Sequence, residues 1–273
     1  MDPPKIAWFE DVDGAGDAAT FVEWLDSART LELLERLKLR SFALMGVGRG
    51  ARVLDVGSGT GDDVRALTEI VGATGRAVGV DRSEAMVAEA RARAGAGEFI
   101  VGDARALAFP DNAFDACRSE RVLVHVEDPA RAVGEMFRVV GPGGHVVSIE
   151  ADFETLIVDA PDSALTRRIL NALCDEVTNG WIGRRLYAYF KAHADERLAI
   201  SPVTLVLTEF ETANRFWTLE THCERMAREG LVEKAEAAQW ISSLRRADRG
   251  GTFFCAATGF LVVGQKPSAP ASP

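Results

Sequence analysis

Between Ala18 and Met45 the apolar residues Phe21, Trp24, Leu25, Ala28, Leu31, Leu34 and Leu37 recur at helical spacing, with charged residues between them. The pattern predicts one long or two short amphipathic helices. From Ala51 the texture changes to short apolar runs, most of them rich in Val or Ile: ARVLDVG, RAVGVD, EFIVGD, FDACRSE and GHVVSIEAD. Helical stretches at 62–71, 83–94 and 128–140 separate most of them. Strands alternating with helices imply a parallel sheet with crossover helices on both faces. Ser83 stands where it can cap a helix, and Asp128 followed by Pro129 supplies a cap and a first-turn proline.

After Asp152 the alternation loosens into helical stretches at 161–178 and 183–193, then two further strands, PVTLVLTEF and TFFCAATGFLVVGQ. Between those strands runs a polar helical insert, 212–248, broken near Gly230; so long an excursion between sheet strands predicts a lid. The first dozen residues and the last eight read as loose ends. The expected organisation is one domain over 1–273. It comprises a helical cap (1–49), a ligand-binding core (50–152), a substrate-side half (153–265) and a tail (266–273).

A chain of 273 residues, 47% hydrophobic and 26% charged, can bury a sizeable core without staples. Its net charge of −10 disfavours nucleic acid and anionic membranes as partners. Cys117, Cys174, Cys223 and Cys255 form no CxxC pair, which argues against a zinc site or a disulfide framework and predicts no bound metal. No basic and apolar leader follows Met1, and no uncharged apolar run approaches the roughly 20 residues that span a bilayer. A cytoplasmic protein is expected.

The stretch LDVGSGTGDD places a glycine turn at the end of the first strand, where backbone can approach a ligand closely. Asp62 stands where a dinucleotide fingerprint needs its third glycine. A pyrophosphate would also meet Asp55, Asp62 and Asp63, the wrong sign for an anion, whereas a sulfonium and an ammonium suit these acids. Asp81 ends the second strand about 20 residues after the turn, placed to accept from ribose hydroxyls. Asp103 ends the third and can accept from an adenine amine, with Met86 and Leu107 as candidates to sandwich the ring.

Together LDVGSGTG, VGVDRSEAMV, VGDARALAFPDNAFD and GPGGHVV resemble the class I S-adenosylmethionine-dependent methyltransferases, in the branch that includes the ubiquinone/menaquinone-biosynthesis C-methyltransferase-like enzymes. The resemblance implies a Rossmann-like α/β fold with a seven-stranded, mostly parallel sheet whose last strand is antiparallel. It implies S-adenosyl-L-methionine as cofactor, with S-adenosyl-L-homocysteine as product. Carried over, Gly57, Ser58, Gly59 and Gly61 would line the methionine part, and Asp55 would reach its ammonium. Asp81 would hold the ribose, Arg82 and Met86 would flank the adenine, and Gly102, Asp103 and Ala104 would contact its edge. Arg118, Ser119 and Glu120 would face the methionine chain and the methyl group.

His125, just past the fourth strand, and Glu120 are the candidate catalytic residues if the acceptor must lose a proton. Glu150 and Asp152 end the fifth strand, where either could orient an acceptor or form a solvated pair; His193 and His222 are expected to face solvent. Trp217, Met226 and Trp240 are expected to pack the insert onto the core, and Arg184 and Arg185 to satisfy helix ends. RSER replaces the [DNS]PP[YFW]-type tetrapeptide of nucleic-acid methylation. The expected activity is in-line methyl transfer to a small molecule, such as a quinone precursor or a terpenoid or polyketide product. The alternative is a cofactor-binding protein that has lost transfer, and a homodimer stays open.

Overall fold

The computed structural model describes residues 9, 11–14, 18–93, 96–195 and 197–268. Of the expected loose ends, 1–8, 10 and 269–273 lie outside the described residues. The helical periodicity at the start resolves into α1 (Ala18–Arg29) and α2 (Glu32–Leu44), parted at Thr30, whose hydroxyl donates to the Ser27 carbonyl at 2.7 Å. The core then alternates β1 (Arg52–Val56), α3 (Asp62–Val71), β2 (Arg76–Asp81), α4 (Glu84–Arg93), β3 (Glu98–Val101), β4 (Phe114–Glu120), α5 (Pro129–Val139) and β5 (Val140–Ala151). Beyond it come β6 (Ile157–Val158), α6 (Ser163–Glu176), α7 (Ile182–Lys191), β7 (Ala199–Leu207), α8 (Phe210–Trp217), α9 (Leu219–Arg228), α10 (Lys234–Arg249) and β8 (Cys255–Gln265).

The sheet runs β3-β2-β1-β4-β5-β8, with β7 and β6 both paired to β8. β1 to β5 pair in parallel, and β8 is antiparallel to each of its neighbours, as the resemblance implied. The eighth strand is β6, two residues that meet Cys255 and Ala256 of β8. It arises because Thr155 turns the chain after β5 back onto β8, its hydroxyl accepting from the Thr258 N–H at 2.8 Å.

Successive residues of β1 face opposite layers, as a pleated strand requires. Leu54 and Val56 join Val78, Val146, Met136, Phe137, Leu186 and Phe190, while Val53 joins Ala77, Leu67, Val87, Leu37 and Phe42. Both faces are covered, which is why these strands read as continuous apolar runs rather than alternating ones. The caps form as their residues suggest: the Ser83 hydroxyl accepts from Met86 N–H at 3.1 Å, and Asp128 accepts from Arg131 N–H at 3.0 Å.

The insert packs on α6 and on the turn that follows β5. Trp240 Nε1 donates to Thr166 Oγ1 at 2.9 Å, and Trp217 meets Phe153 edge-on at 5.5 Å. His222, expected in solvent, is fully buried: its ring lies 3.0 Å from the Ile169 carbonyl and 3.1 Å from Glu176. His193 is exposed but lies flat on Phe137. All four cysteines are buried free thiols. Among the described residues no helix is long and apolar enough to cross a membrane.

Candidate active site

The carboxyl ends of β1, β2, β3 and β4 meet at a cavity of about 220 Å³. Parallel strands place their following turns there, so Gly57 and Gly59, Asp81 and Arg82, Gly102 to Ala104, and Glu120 to Val122 share one rim. The roof is N-terminal. Phe9, Val12, Trp24 and Leu25 cover the cavity, and Phe9 packs on Phe21 and Trp24 at 5.0 and 5.3 Å. The expectation of a loose start therefore fails at Phe9 and Val12, because two large apolar groups find a surface to bury. Asp13 fastens this strap: its carboxylate accepts from the Ser83 hydroxyl at 2.6 Å and from Glu84 and Ala85 N–H at 2.9 and 3.1 Å, capping α4.

No described residue of the insert lines the cavity. Its link to the site is indirect, through Trp24, whose Nε1 donates to the Arg215 carbonyl at 3.2 Å and whose ring lies 5.2 Å from Phe216.

Asp81 is oriented by backbone: Gly59 and Ser83 donate to it at 2.8 and 3.0 Å. Burial raises its carboxyl above the usual range against those two bonds. Asp103 also lines the cavity, but both its oxygens clasp Arg105, which pairs in turn with Glu127; the Arg105 contact holds Asp103 below the usual range. Met86 and Ala104 supply apolar wall. Leu107 does not: it is buried in the main core, so its expected place against a ring is corrected.

A smaller polar lobe adjoins, lined by Asp55, Ser58, Thr60, Asp62, Asp63 and Arg118, and sharing Leu25, Gly57, Gly59, Glu120 and Arg121 with the first. Its acids are not free. Arg118, 1% exposed, donates to Asp55 at 3.0 Å, Asp63 at 2.6 Å and Glu120 at 2.6 Å. Lys38 of α2 adds bonds to both Asp63 oxygens at 2.8 and 2.9 Å, and Arg29 and Arg65 pair with Asp62. Burial works to raise Asp63, but Arg118 and Lys38 win and hold it well below the carboxylate range. Asp55 lies deeper; burial outweighs Arg118 and pushes it up to about 7. The expectation that this acidic turn offers a net negative field is thus corrected, since basic residues from α1, α2, α3 and β4 balance it.

Ser119 points away: it is fully buried, and its hydroxyl pairs with Ser148 at 3.0 Å. Strand alternation held that signal, since Arg118 and Glu120 share one face and the residue between must take the other. Gly61 lines neither lobe; it starts α3 with φ +79°, and a Cβ there would meet the Phe99 ring at 2.5 Å.

His125 lines the cavity, its ring 5.9 Å from Phe9, on a single 3-10 turn over Leu123–His125. Glu150, fully buried at the end of β5, accepts N–H bonds from Val122 at 3.0 Å, Leu123 at 2.8 Å and Val124 at 3.4 Å. Asn179 donates to the Leu123 carbonyl at 3.0 Å from the other side. Asp152 caps α7 and binds Arg184. Both acids serve the frame of the site instead of facing an acceptor. Burial outweighs the three N–H bonds and pushes Glu150 up to about 7.

The family described as "Methyltransferase domain" matches residues 54–148, the stretch from β1 into β5. An uncharacterised 37.1 kDa protein in transposon TN4556 of Streptomyces fradiae is 32% identical over 248 residues, covering 89% of this chain and 71% of its own. Demethylmenaquinone methyltransferase of Staphylococcus aureus is 42% identical over 117 residues, 42% of this chain, and the match spans 48% of that enzyme's length. Among solved structures, Haemonchus contortus phosphoethanolamine N-methyltransferase 2, in complex with phosphomonomethylethanolamine and S-adenosylhomocysteine, superposes with a TM-score of 0.54 at 16% identity. That match covers 85% of this chain and 53% of the other.

Proposed function

Because the chain belongs to the class I S-adenosylmethionine-dependent methyltransferases, we propose that it transfers a methyl group to a small, largely apolar acceptor seated beside Trp24 and His125. The observation that carries this reading is the junction of two unlike lobes at Glu120 and Arg121, one polar and one walled by Phe9, Trp24, Val122 and Val126.

The residues present fit the cofactor. In the polar lobe Ser58 Oγ, Arg118 Nε and Glu120 Oε1 are buried without hydrogen-bond partners among the described residues, a mixed set that an amino-acid end carrying both charges would satisfy. Among the described residues Asp81 accepts two backbone N–H bonds, which leaves lone pairs for ribose hydroxyls. Arg82, Met86, Gly102, Asp103 and Ala104 would hold the base, and Asp55 would act on the ammonium from behind Arg118. When bound, S-adenosyl-L-methionine supplies a methyl group on a sulfonium, an electrophile that needs from its acceptor only a lone pair in line with the leaving sulfur.

The chain's own share is positioning and exclusion of water. The strap of Phe9 and Val12 and the Trp24 face close the apolar lobe, and orienting an acceptor near contact distance is worth several kcal/mol, roughly 7 or more at best. Glu120 is committed to Arg118, so His125 is the residue placed to take a proton from an acceptor hydroxyl. The test is methyl-labelled cofactor incubated with hydroquinones, phenols, hydroxyaryl carboxylates and apolar alcohols. Label is expected in at least one of these products and lost with Trp24→Ala; a cofactor that binds while nothing apolar is labelled would sink the reading.

A further inference from the structure

Arg121 carries a strained backbone and an unspent donor at the junction of the lobes. Its φ of +55° is left-handed, a conformation that strains a residue with a Cβ and persists only where its surroundings impose it. Here the Arg121 N–H donates to the Ile149 carbonyl at 2.8 Å, and the turn carries the side chain off the strand to lie over the Trp24 ring at 5.1 Å. One guanidinium nitrogen, Nη2, lies 3.5 Å from Glu120 Oε1. The other, Nη1, is buried with no hydrogen-bond partner among the described residues.

Glu120 cannot compensate Arg121 fully, because it is already shared with Arg118 at 2.6 Å and Lys38 at 3.8 Å. Asp55 and Asp63 both accept from Arg118, and Asp63 also from Lys38, so these acids are engaged by other cations. Trp24 lines the apolar lobe and not the polar one, which puts the guanidinium resting on it at the acceptor side.

Resting on the methyltransfer reading above, we infer that Arg121 anchors a carboxylate on the acceptor, making the substrate class an apolar or aromatic acid rather than a neutral molecule. A planar guanidinium with a free N–H matches a carboxylate better than a neutral group, and a bound anion would relieve the unmet donor. The apolar walls of Phe9, Trp24 and Val126 suit the body of such an acid, with its charge at the junction.

The test is calorimetry on protein saturated with S-adenosyl-L-homocysteine, titrated with one- and two-ring hydroxyaryl carboxylates and with their carboxamides. At least one acid is expected to bind about ten-fold or more tighter than its amide, with the preference lost in Arg121→Gln and partly kept in Arg121→Lys. Arg121→Gly, which accepts the left-handed φ, separates loss of the anchor from loss of fold and should also lose the preference while melting normally. No acid preferred over its amide would overturn the inference. So would a loss of S-adenosyl-L-homocysteine affinity in Arg121→Gln, which would give the residue to the cofactor. Failure of wild type to bind S-adenosyl-L-homocysteine would instead defeat the underlying methyltransfer reading.

Discussion

The Glu150 carboxylate accepts the Leu123 N–H at 2.8 Å, so the end of β5 holds the turn that carries His125. Burial pushes this carboxyl up to about 7 from an ordinary 4.5, so over that window the folded chain keeps a proton that the unfolded chain releases. Stability therefore falls as pH rises from about 4.5 to about 7, by roughly 3 kcal/mol for this group. Glu150→Gln keeps an acceptor oxygen and should flatten that fall, with Asp55 still contributing in the same direction. Urea unfolding at about pH 5 and about pH 7 measures it; an unchanged pH dependence would count against the assignment.

Gly57 has φ +72°, and a Cβ there would run into the Val122 side chain. Gly57→Ala must move the rim turn or strain the backbone, at an expected cost of roughly 2 kcal/mol or more. Val122 lies between Glu120 and His125, so binding should suffer along with fold. Denaturation paired with S-adenosyl-L-homocysteine titration should show both losses; normal affinity would mean the turn is not the cofactor floor.

Lys38 ties α2 to the polar lobe through two bonds to Asp63. Lys38→Met leaves Asp63 to Arg118 alone, and a weakened buried pair of this kind should cost roughly 2–3 kcal/mol. Lys38→Arg should restore part of it. The comparison of the three midpoints in urea decides, and a Lys38→Met midpoint equal to wild type would show the pair to be inert.

Asp13 caps α4 from the N-terminal strap, so Asp13→Ala should cost about 1 kcal/mol as a lost cap. The larger expected effect is kinetic: the roof of Phe9 and Val12 should open more readily, speeding S-adenosyl-L-homocysteine release. Stopped-flow displacement reads that rate, and an unchanged rate would remove the strap from the binding account.

The sheet was legible because burial on both faces leaves Val-rich apolar runs in β1, β2 and β5, and because caps such as Ser83 and Asp128 act within three residues of themselves. Local chemistry of that range survives in a linear reading. The charge pattern did not survive it: Arg118 meets Asp55 and Asp63 across more than fifty residues, and acids that look free in LDVGSGTGDD are already neutralised. Arg121 gave no signal in the sequence, because neither its left-handed φ nor its place on Trp24 is encoded nearby. The insert read as a lid for the length of its excursion between strands, while Trp217 and Trp240 pack it as expected, on Phe153 and α6. Phe9 and Val12 were hidden by the acidic residues around them, though an aromatic residue in such a stretch is itself a cue to burial.

On the proposed reading Asp81, set by Gly59 and Ser83, would hold the cofactor's ribose at the end of β2. Isothermal titration of S-adenosyl-L-methionine and S-adenosyl-L-homocysteine into wild type and Asp81→Ala, with NAD as control, tests it directly. Both ligands should bind wild type while NAD does not, and the variant should lose roughly ten-fold to a hundred-fold or more in affinity, as expected for hydrogen bonds to a charged group. Equal binding by Asp81→Ala, or no binding by wild type, would contradict the claim.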